Sequence, residues 1–328
     1  MKKLAAAGAA LLLSALTFAA PASAFDVTSS QCIAPAGAGG GWDFTCRQVG
    51  KTLYDLKVVP DPVQVTNLSG GGGGVAYAEV VAKHDKDTNL IIAASSATTT
   101  RLAQGAYPGA SMDQVRWLAT IGADYGVIAV AKDSPVNSLG ELFDKIKADP
   151  GSVAFAGGSA VGGWDHLKIL IAAKAAGIND VKSIKYVAFE GGGEAVTQLL
   201  GGHVQAFSGD ISEAKGFADS GDIKILAVLS EDRLPGAGFS DIPTAKEQGI
   251  DAVGANWRGF YGPGHMGDDA YNFWSDAIKK VYDSEEWKGI MAKNGLMPLA
   301  KSGADFQAFV KKQVEDTAAL SREIGILK

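Results

Sequence analysis

Metal-binding side chains are scarce in this chain, whose 328 residues include two cysteines and four histidines. His84, His166, His203 and His265 are scattered, and with Cys32 and Cys46 they form no pair at the spacing of a metal-site motif, which speaks against a metal centre. Basic residues form no block. With 30 Lys and Arg against 36 Asp and Glu, the formal charge is −6, and nothing is dense enough to track phosphates or anionic lipid, so nucleic acid and membrane surfaces are poor partners. Long apolar runs are also missing, with one exception at the N-terminus.

That exception reads as a secretory signal peptide over residues 1–24. Met1-Lys2-Lys3 is basic, Leu4 to Ala20 is rich in Ala and Leu, and Ala22-Ser23-Ala24 supplies a small-residue cleavage pattern. An uncleaved anchor is the alternative, disfavoured by the Ala-x-Ala site. Cleavage leaves a mature chain from Phe25 with a formal charge of −8, and the export route points to the periplasm. The remaining length, of a sequence with 47% hydrophobic residues and 42 glycines overall, exceeds the usual single-domain size and predicts two lobes.

Cys32 and Cys46 lie fourteen positions apart, and export takes them to an oxidising compartment. This favours a disulfide contributing about 3 kcal/mol by chain entropy if unstrained. Two buried free thiols are the rival reading, and the Cα separation decides between them.

Short β-branched or apolar runs recur, each followed by a segment with helical spacing. Strands are predicted at Val63–Asn67, Leu90–Ala94, Val127–Val130, Val153–Ala156, Ile184–Val187, Ala206–Ser208 and Ile223–Val228. Helices are predicted at Gly74–Lys83, Ser138–Ala148, Trp164–Ala176 and Gly193–Leu200. In the third, Leu167, Leu170, Ile171 and Lys174 follow the i, i+3, i+4, i+7 template, with Lys174 the polar exception. Asp268–Lys293 and Ser302–Leu327 read as a helical C-terminal region, with Ser302 a candidate N-cap and Phe306, Phe309, Val310 and Val314 on one face. The alternation predicts an α/β fold of sheets flanked by helices. No flexible linker interrupts it, which fits lobes joined by crossing strands.

The chemistry is expected in two glycine loops that both end in Gly-Gly-Trp-Asp. One contains Gly39, Gly40, Gly41, Trp42 and Asp43; the other contains Gly158, Ser159, Ala160, Val161, Gly162, Gly163, Trp164 and Asp165. Each follows a strand and opens a helix, so each sets backbone N–H groups at the positive end of a helix, an anion trap built without cationic side chains. One such loop alone reads as an ordinary turn. Its recurrence about 120 positions later favours function, although Trp42 and Trp164 also suit packing and Asp43 and Asp165 also suit capping. A third tract, Ser69 to Gly74, reads as another ligand-facing turn. Its partial dinucleotide fingerprint lacks the acidic partner, so no cofactor is expected.

Hydroxyls and acids at strand ends are further candidates: Ser95 and Thr98 after one strand, and Ser208 and Asp210 after another. For any single Ser or Thr there, capping is at least as good a reading. Arg258, in Asn256-Trp257-Arg258-Gly259, either forks a carboxylate or pairs with a structural Asp. Catalysis is not supported. Gly157 to Val161 lacks the last glycine of a nucleophile elbow, and His166 falls on the same helix, so a hydrolase using Ser159 and His166 is only the alternative.

Cys32 to Cys46, with the tract Ser69 to Gly74, the loop Gly158 to Asp165, Gly201-Gly202-His203-Val204-Gln205-Ala206, Arg233-Leu234-Pro235 and Asp241-Ile242-Pro243-Thr244, resembles the periplasmic receptors of tripartite tricarboxylate transporters over essentially the whole mature chain. The resemblance implies a two-lobed periplasmic-binding-protein fold of type II-like form with the ligand cleft between the lobes. Residues 25–125 and 255–328 would form lobe I and residues 126–254 lobe II. It also implies main-chain capture of a small carboxylate, delivery to a two-component membrane permease, and a monomer. The cysteines around the first loop look like the citrate-binding branch, so citrate or another tricarboxylate is the expected ligand. Dicarboxylates, aromatic carboxylates and a sensing role stay open.

Overall fold

The computed structural model describes residues 25–327 apart from positions 26 and 237, so the predicted leader at 1–24 lies outside the described residues. The chain alternates strand and helix. In order come β1 (Gln31–Ala34), α1 (Gly41–Asp55), β2 (Gln64–Asn67), α2 (Gly74–Lys83), β3 (Leu90–Ser95), α3 (Ser96–Ala103) and β4 (Val115–Ala131). Next are α4 (Leu139–Ala148), β5 (Ala154–Gly157), α5 (Trp164–Ala175), β6 (Lys185–Ala188), α6 (Gly192–Leu200), β7 (Ala206–Asp210), α7 (Ile211–Asp219) and β8 (Ile223–Val228). Last are β9 (Ala255–Pro263), α8 (Asp268–Asp283), α9 (Glu285–Asn294) and α10 (Gly303–Glu323).

The sheet path runs β2-β1-β3-β9-β4-β7-β5-β6, with β8 also on β4. Strand β4 belongs to both halves. From Val115 to Tyr125 it pairs antiparallel with β9, and from Gly126 to Ala131 it pairs with β7 and β8. The partner change falls at Gly126, whose N–H donates to Gly254 O at 2.9 Å. Parallel pairs β1–β2, β1–β3, β5–β6 and β5–β7 lie to either side. Their α1, α2, α5 and α6 crossovers cover the faces, as parallel strands require.

Each half buries apolar residues on both faces of its sheet. Helix α8 shows why these segments coil: Ala270, Trp274, Ala277, Ile278 and Val281 are buried at helical spacing, with Asp268 and Asp269 in its first turn. Helix α4 starts at Ser138, whose Oγ accepts the Glu141 N–H at 3.1 Å. Helix α10 spans the halves. Phe306 and Val310 join a cluster in the first half, and Ile324 just beyond its end joins one in the second.

The seven predicted strands all form, the one expected at Val127–Val130 as the last part of a far longer strand. The first part of β4 and all of β9 were not predicted, because Gly122 and Asp124 interrupt one run and Gly259, Gly262 and Pro263 the other. In β9, glycine serves packing: a Cβ on Gly259 would stand 2.6 Å from Ala119 O. Ser302 takes the N-cap position of α10 but makes no side-chain capping bond. Helix α5 departs from its predicted stripe. Lys168 is buried beside Leu167, Ile169 and Leu170, whereas Lys174 is exposed.

Cys32 and Cys46 form a disulfide with a Cα separation of 5.8 Å. It ties β1 to the second turn of α1, on either side of the first glycine loop.

Candidate functional site

The β1–α1 and β5–α5 loops meet across a cleft of about 170 Å³. From the first come Gly40, Gly41 and Trp42. From the second come Gly158, Ser159, Ala160, Val161 and Gly163, followed by Asp165. Ser95, Asp210 and Arg258 also line the space. The third glycine tract contributes Gly71 and Gly72, and a Cβ on Gly72 would lie 3.1 Å from the Ala160 methyl.

Glycine lets the halves approach closely. The Gly37 N–H donates to Glu190 O at 2.6 Å, and a Cβ on Gly40 would stand 3.4 Å from Gly191 Cα. At Gly158 a Cβ would sit 2.5 Å from Gly192 N, so the α6 N-terminus packs directly on the second loop.

Seven predicted site residues do not line the cleft, and for five of them their bonds explain why. Asp43 accepts the Gly39 N–H at 3.0 Å and pairs with Arg47 and Asn67, so Gly39 and Asp43 close the first turn on itself. The Gly162 N–H donates to His166 Nδ1 at 3.0 Å. The Ser208 hydroxyl donates to Asp165 O at 2.8 Å. Thr98 completes a capping box with Ser95 at the start of α3. Trp164 packs into the second half's core, and Ser69, the first residue of the third tract, stays outside the lining. Trp42 both packs and lines the cleft, donating its indole N–H to Ser95 Oγ at 3.1 Å.

The expected row of free amides is also modified. Gly40 N–H donates to Gly37 O, and Gly163 N–H to Ala160 O. The Gly41 N–H, at the start of α1, donates to the Glu213 carboxylate of the other half at 2.8 Å.

Nor is the site without cations. Arg101 and Arg258 line it, and Lys168 lies fully buried beneath. Lys168 Nζ donates to Asp210 Oδ1 at 2.7 Å and to Gly209 O at 2.7 Å, and pairs with Asp165 at 2.9 Å. Arg258 Nη2 donates to Asp124 Oδ2 at 2.9 Å and Asp210 Oδ2 at 2.7 Å. Asn256 Nδ2 donates to Asp210 Oδ2 at 2.6 Å. Arg258 therefore pairs with structural aspartates, the second of its two predicted roles.

Burial would raise Asp210, but Lys168 and Arg258 overcome it and hold its carboxyl below the usual range. Glu213 has no hydrogen bond to a cation, and the nearby Arg258 charge only partly opposes the rise. Burial, followed by the charges of Asp210 and Asp165, pushes it up to about 8. Lys168, Glu213, Asp124 and Arg101 escaped sequence reasoning. Lys168 sits at the position after Leu167 in a helix read as amphipathic, and Glu213 is three residues past Asp210, a capping-box spacing that signals only a helix start.

No acyl-transfer pair is present at Ser159. Its Oγ accepts the Asp165 N–H at 2.9 Å and lies 3.4 Å from the Tyr186 hydroxyl. Burial pushes His166 down to about 4, and its Nδ1 is taken by Gly162.

A mixed sheet in two halves with glycine turns facing one cleft is the architecture of a periplasmic solute-binding protein. The chain belongs to the tripartite tricarboxylate transporter family receptors, whose family model matches residues 46–326. It is 28% identical over 313 residues to Protein BugT of Bordetella pertussis, covering 94% of this chain and 93% of that one. The fold matches the periplasmic binding protein BugD with a TM-score of 0.83 at 22% identity, covering 92% and 98% of the two chains. It also matches MatC of Rhodopseudomonas palustris with bound malate, with a TM-score of 0.77 at 18% identity over 90% and 99%. The protein is a receptor and not an enzyme. No helix among the described residues is long and apolar enough to cross a membrane.

Proposed function

We propose that this receptor captures a small carboxylate in the periplasm by closing two lobes on it, and hands it to a two-component membrane permease. One observation carries the reading: two glycine turns that open helices in different halves line a single cleft. The partner change along β4 supports lobes of residues 25–125 with 255–328 and of 126–254, and the N-terminal pattern supports cleavage after Ala24. A ligand touching both lobes favours the closed state and shifts the population toward it.

Citrate or another tricarboxylate is the ligand proposed from the cysteine-flanked first loop. The cleft itself favours a second reading within the same class. With Asp165, Glu190, Asp210 and Glu213 lining it against Arg101 and Arg258, the cleft holds more acids than cations, so a ligand of lower charge is better matched, and the malate held by the structurally similar MatC is of that kind.

A thermal-shift panel of mono-, di- and tricarboxylates on the mature protein tests the reading, since a ligand that binds only the folded state raises Tm. Titration calorimetry of the best ligand against Gly40→Val follows. The Cβ there meets Gly37 O at 3.3 Å and Gly191 Cα at 3.4 Å, so at least a tenfold loss of affinity is expected. A panel without a stabilising carboxylate, or full affinity in the variant, refutes the reading.

A further inference from the structure

Glu213 is the one acid of the buried cluster whose hydrogen bonds join the two halves through the first glycine loop. Its Oε1 accepts the Gly41 N–H at 2.8 Å and its Oε2 accepts the Asp210 N–H at 3.1 Å. The carboxyl lies in a glycine cradle: a Cβ on Gly192 would come within 2.5 Å of Glu213 Cδ, and one on Gly209 within 2.9 Å of Oε2. A protein carboxyl group thus already occupies a helix N-terminus at which a ligand carboxylate is expected to bind.

We propose that Glu213 makes ligand capture proton-linked: the receptor takes its carboxylate with Glu213 protonated, the neutral carboxyl turning from a competitor for the Gly41 amide into a hydrogen-bond donor to the ligand. This deepens the carboxylate reading above and rests on it.

The charges around Glu213 support the step. From α5 come Asp165 and Lys168, from β7 Asp210, from β9 Arg258, from β4 Asp124 and from β6 the Tyr186 hydroxyl. Lys168 is consumed by Asp165 and Asp210, and Arg258 by Asp124 and Asp210. Three aspartates already share these two cations, so Glu213 adds a further acid whose own hydrogen bonds come from backbone N–H groups, the Arg258 charge reaching it without a bond. Two carboxylates at one amide in a site of low dielectric repel each other strongly. A protonated carboxyl beside a carboxylate instead forms a short, charge-assisted O–H···O⁻ bond. The bound proton comes from solvent, and no covalent bond changes. Burial and the neighbouring Asp210 and Asp165 push Glu213 up to about 8, which places the change within reach of ordinary titration.

The sign follows from linkage. Below the raised value Glu213 is already protonated and affinity is flat; above it each bound ligand must bring a proton, and affinity falls by about tenfold per pH unit. Calorimetry with malate, whose carboxyls are both ionised throughout, is run at pH 7 and pH 9 in buffers of different ionisation enthalpy. Expected are about tenfold weaker binding at pH 9 and uptake approaching one proton per ligand there. In Glu213→Gln the carboxamide cannot titrate, so the pH 7 to pH 9 ratio should fall to about one and proton uptake should vanish. The wild-type measurement stands alone if that variant fails to fold. Carboxylate binding in the wild type without pH dependence or proton uptake, or uptake that persists in Glu213→Gln, overturns the proposal and leaves the carboxylate reading intact. Absence of binding by malate and by every other carboxylate in the panel overturns both.

Discussion

Lys168→Met isolates the buried charge network beneath the cleft. The Lys168 stem lies against the strand crossing, where a Cβ on Gly126 would stand 2.5 Å from its Cδ and one on Gly254 3.0 Å from its Cγ. Its ammonium has three acceptors, Asp165, Asp210 and Gly209 O. Methionine reproduces much of the stem and removes the charge, so the loss reports the network rather than a cavity. Breaking a buried pair by removing one partner typically costs 3–5 kcal/mol, because the stranded charge stays buried. At about 2 °C per kcal/mol for a chain of this size, Tm should fall by ~6–10 °C. Asp210 is held below the usual carboxylate range with Lys168 as a cause, so the stability this pair supplies is present at neutral pH and is lost as acid protonates Asp210. The gap between wild type and variant should therefore narrow from pH 7.5 to pH 3, below the ordinary Asp value of 3.8, and not before. Urea denaturation at both pH values, read by tryptophan fluorescence, checks this, and a cycle with Asp165→Asn apportions the pair. A loss under about 1 kcal/mol at pH 7.5, or a gap that widens on acidification, refutes the reasoning.

Two further perturbations address closure and the first loop. Arg101 Nη1 donates to Val161 O at 3.1 Å from the opposite half, so Arg101→Ala should weaken ligand binding by about tenfold, the worth of one charged hydrogen bond; unchanged Kd by calorimetry counts against this bond as a clasp. Cys32→Ser with Cys46→Ser opens the link between β1 and α1, and a stability loss of about 2–4 kcal/mol is expected. Reductant should lower the wild-type Tm toward that of the double variant, and an unmoved Tm argues against a stabilising disulfide.

The alternation of strand and helix was legible because it is written in local periodicity. Leu90–Ala94 and Ile223–Val228 are apolar runs bounded by turn residues, and each became a strand with little change. The glycine loops were legible by repetition, and both reach the cleft. Strand β9 was not, because Gly259 and Gly262 look like breakers until the neighbouring backbone shows that nothing larger fits. Lys168 was hidden for a related reason: a buried lysine next to Leu167 has no local mark, since Asp165 three residues before it on α5 reads as an ordinary helix pair and Asp210 is joined to it only by the meeting of α5 with β7.

That difference bears on how the site recognises its ligand. Backbone amides at a helix start attract any anion, so the two loops alone favour a carboxylate without choosing among carboxylates. Several of those amides are spent within their own turns, Gly39 on Asp43 and Gly162 on His166, which fixes the shape of each loop and leaves fewer donors for a ligand. Discrimination then falls to the charges that converge from distant parts of the chain. Arg258 and Lys168 are paired with aspartates, and Glu213 remains beside the Gly41 amide with no hydrogen bond to a cation. A ligand adding several negative charges must compete with this surplus acid or arrive with a proton. A less charged carboxylate meets a smaller penalty, so under the proposed proton linkage the ionisation of Glu213 would set the order of preference among ligands as well as their pH dependence.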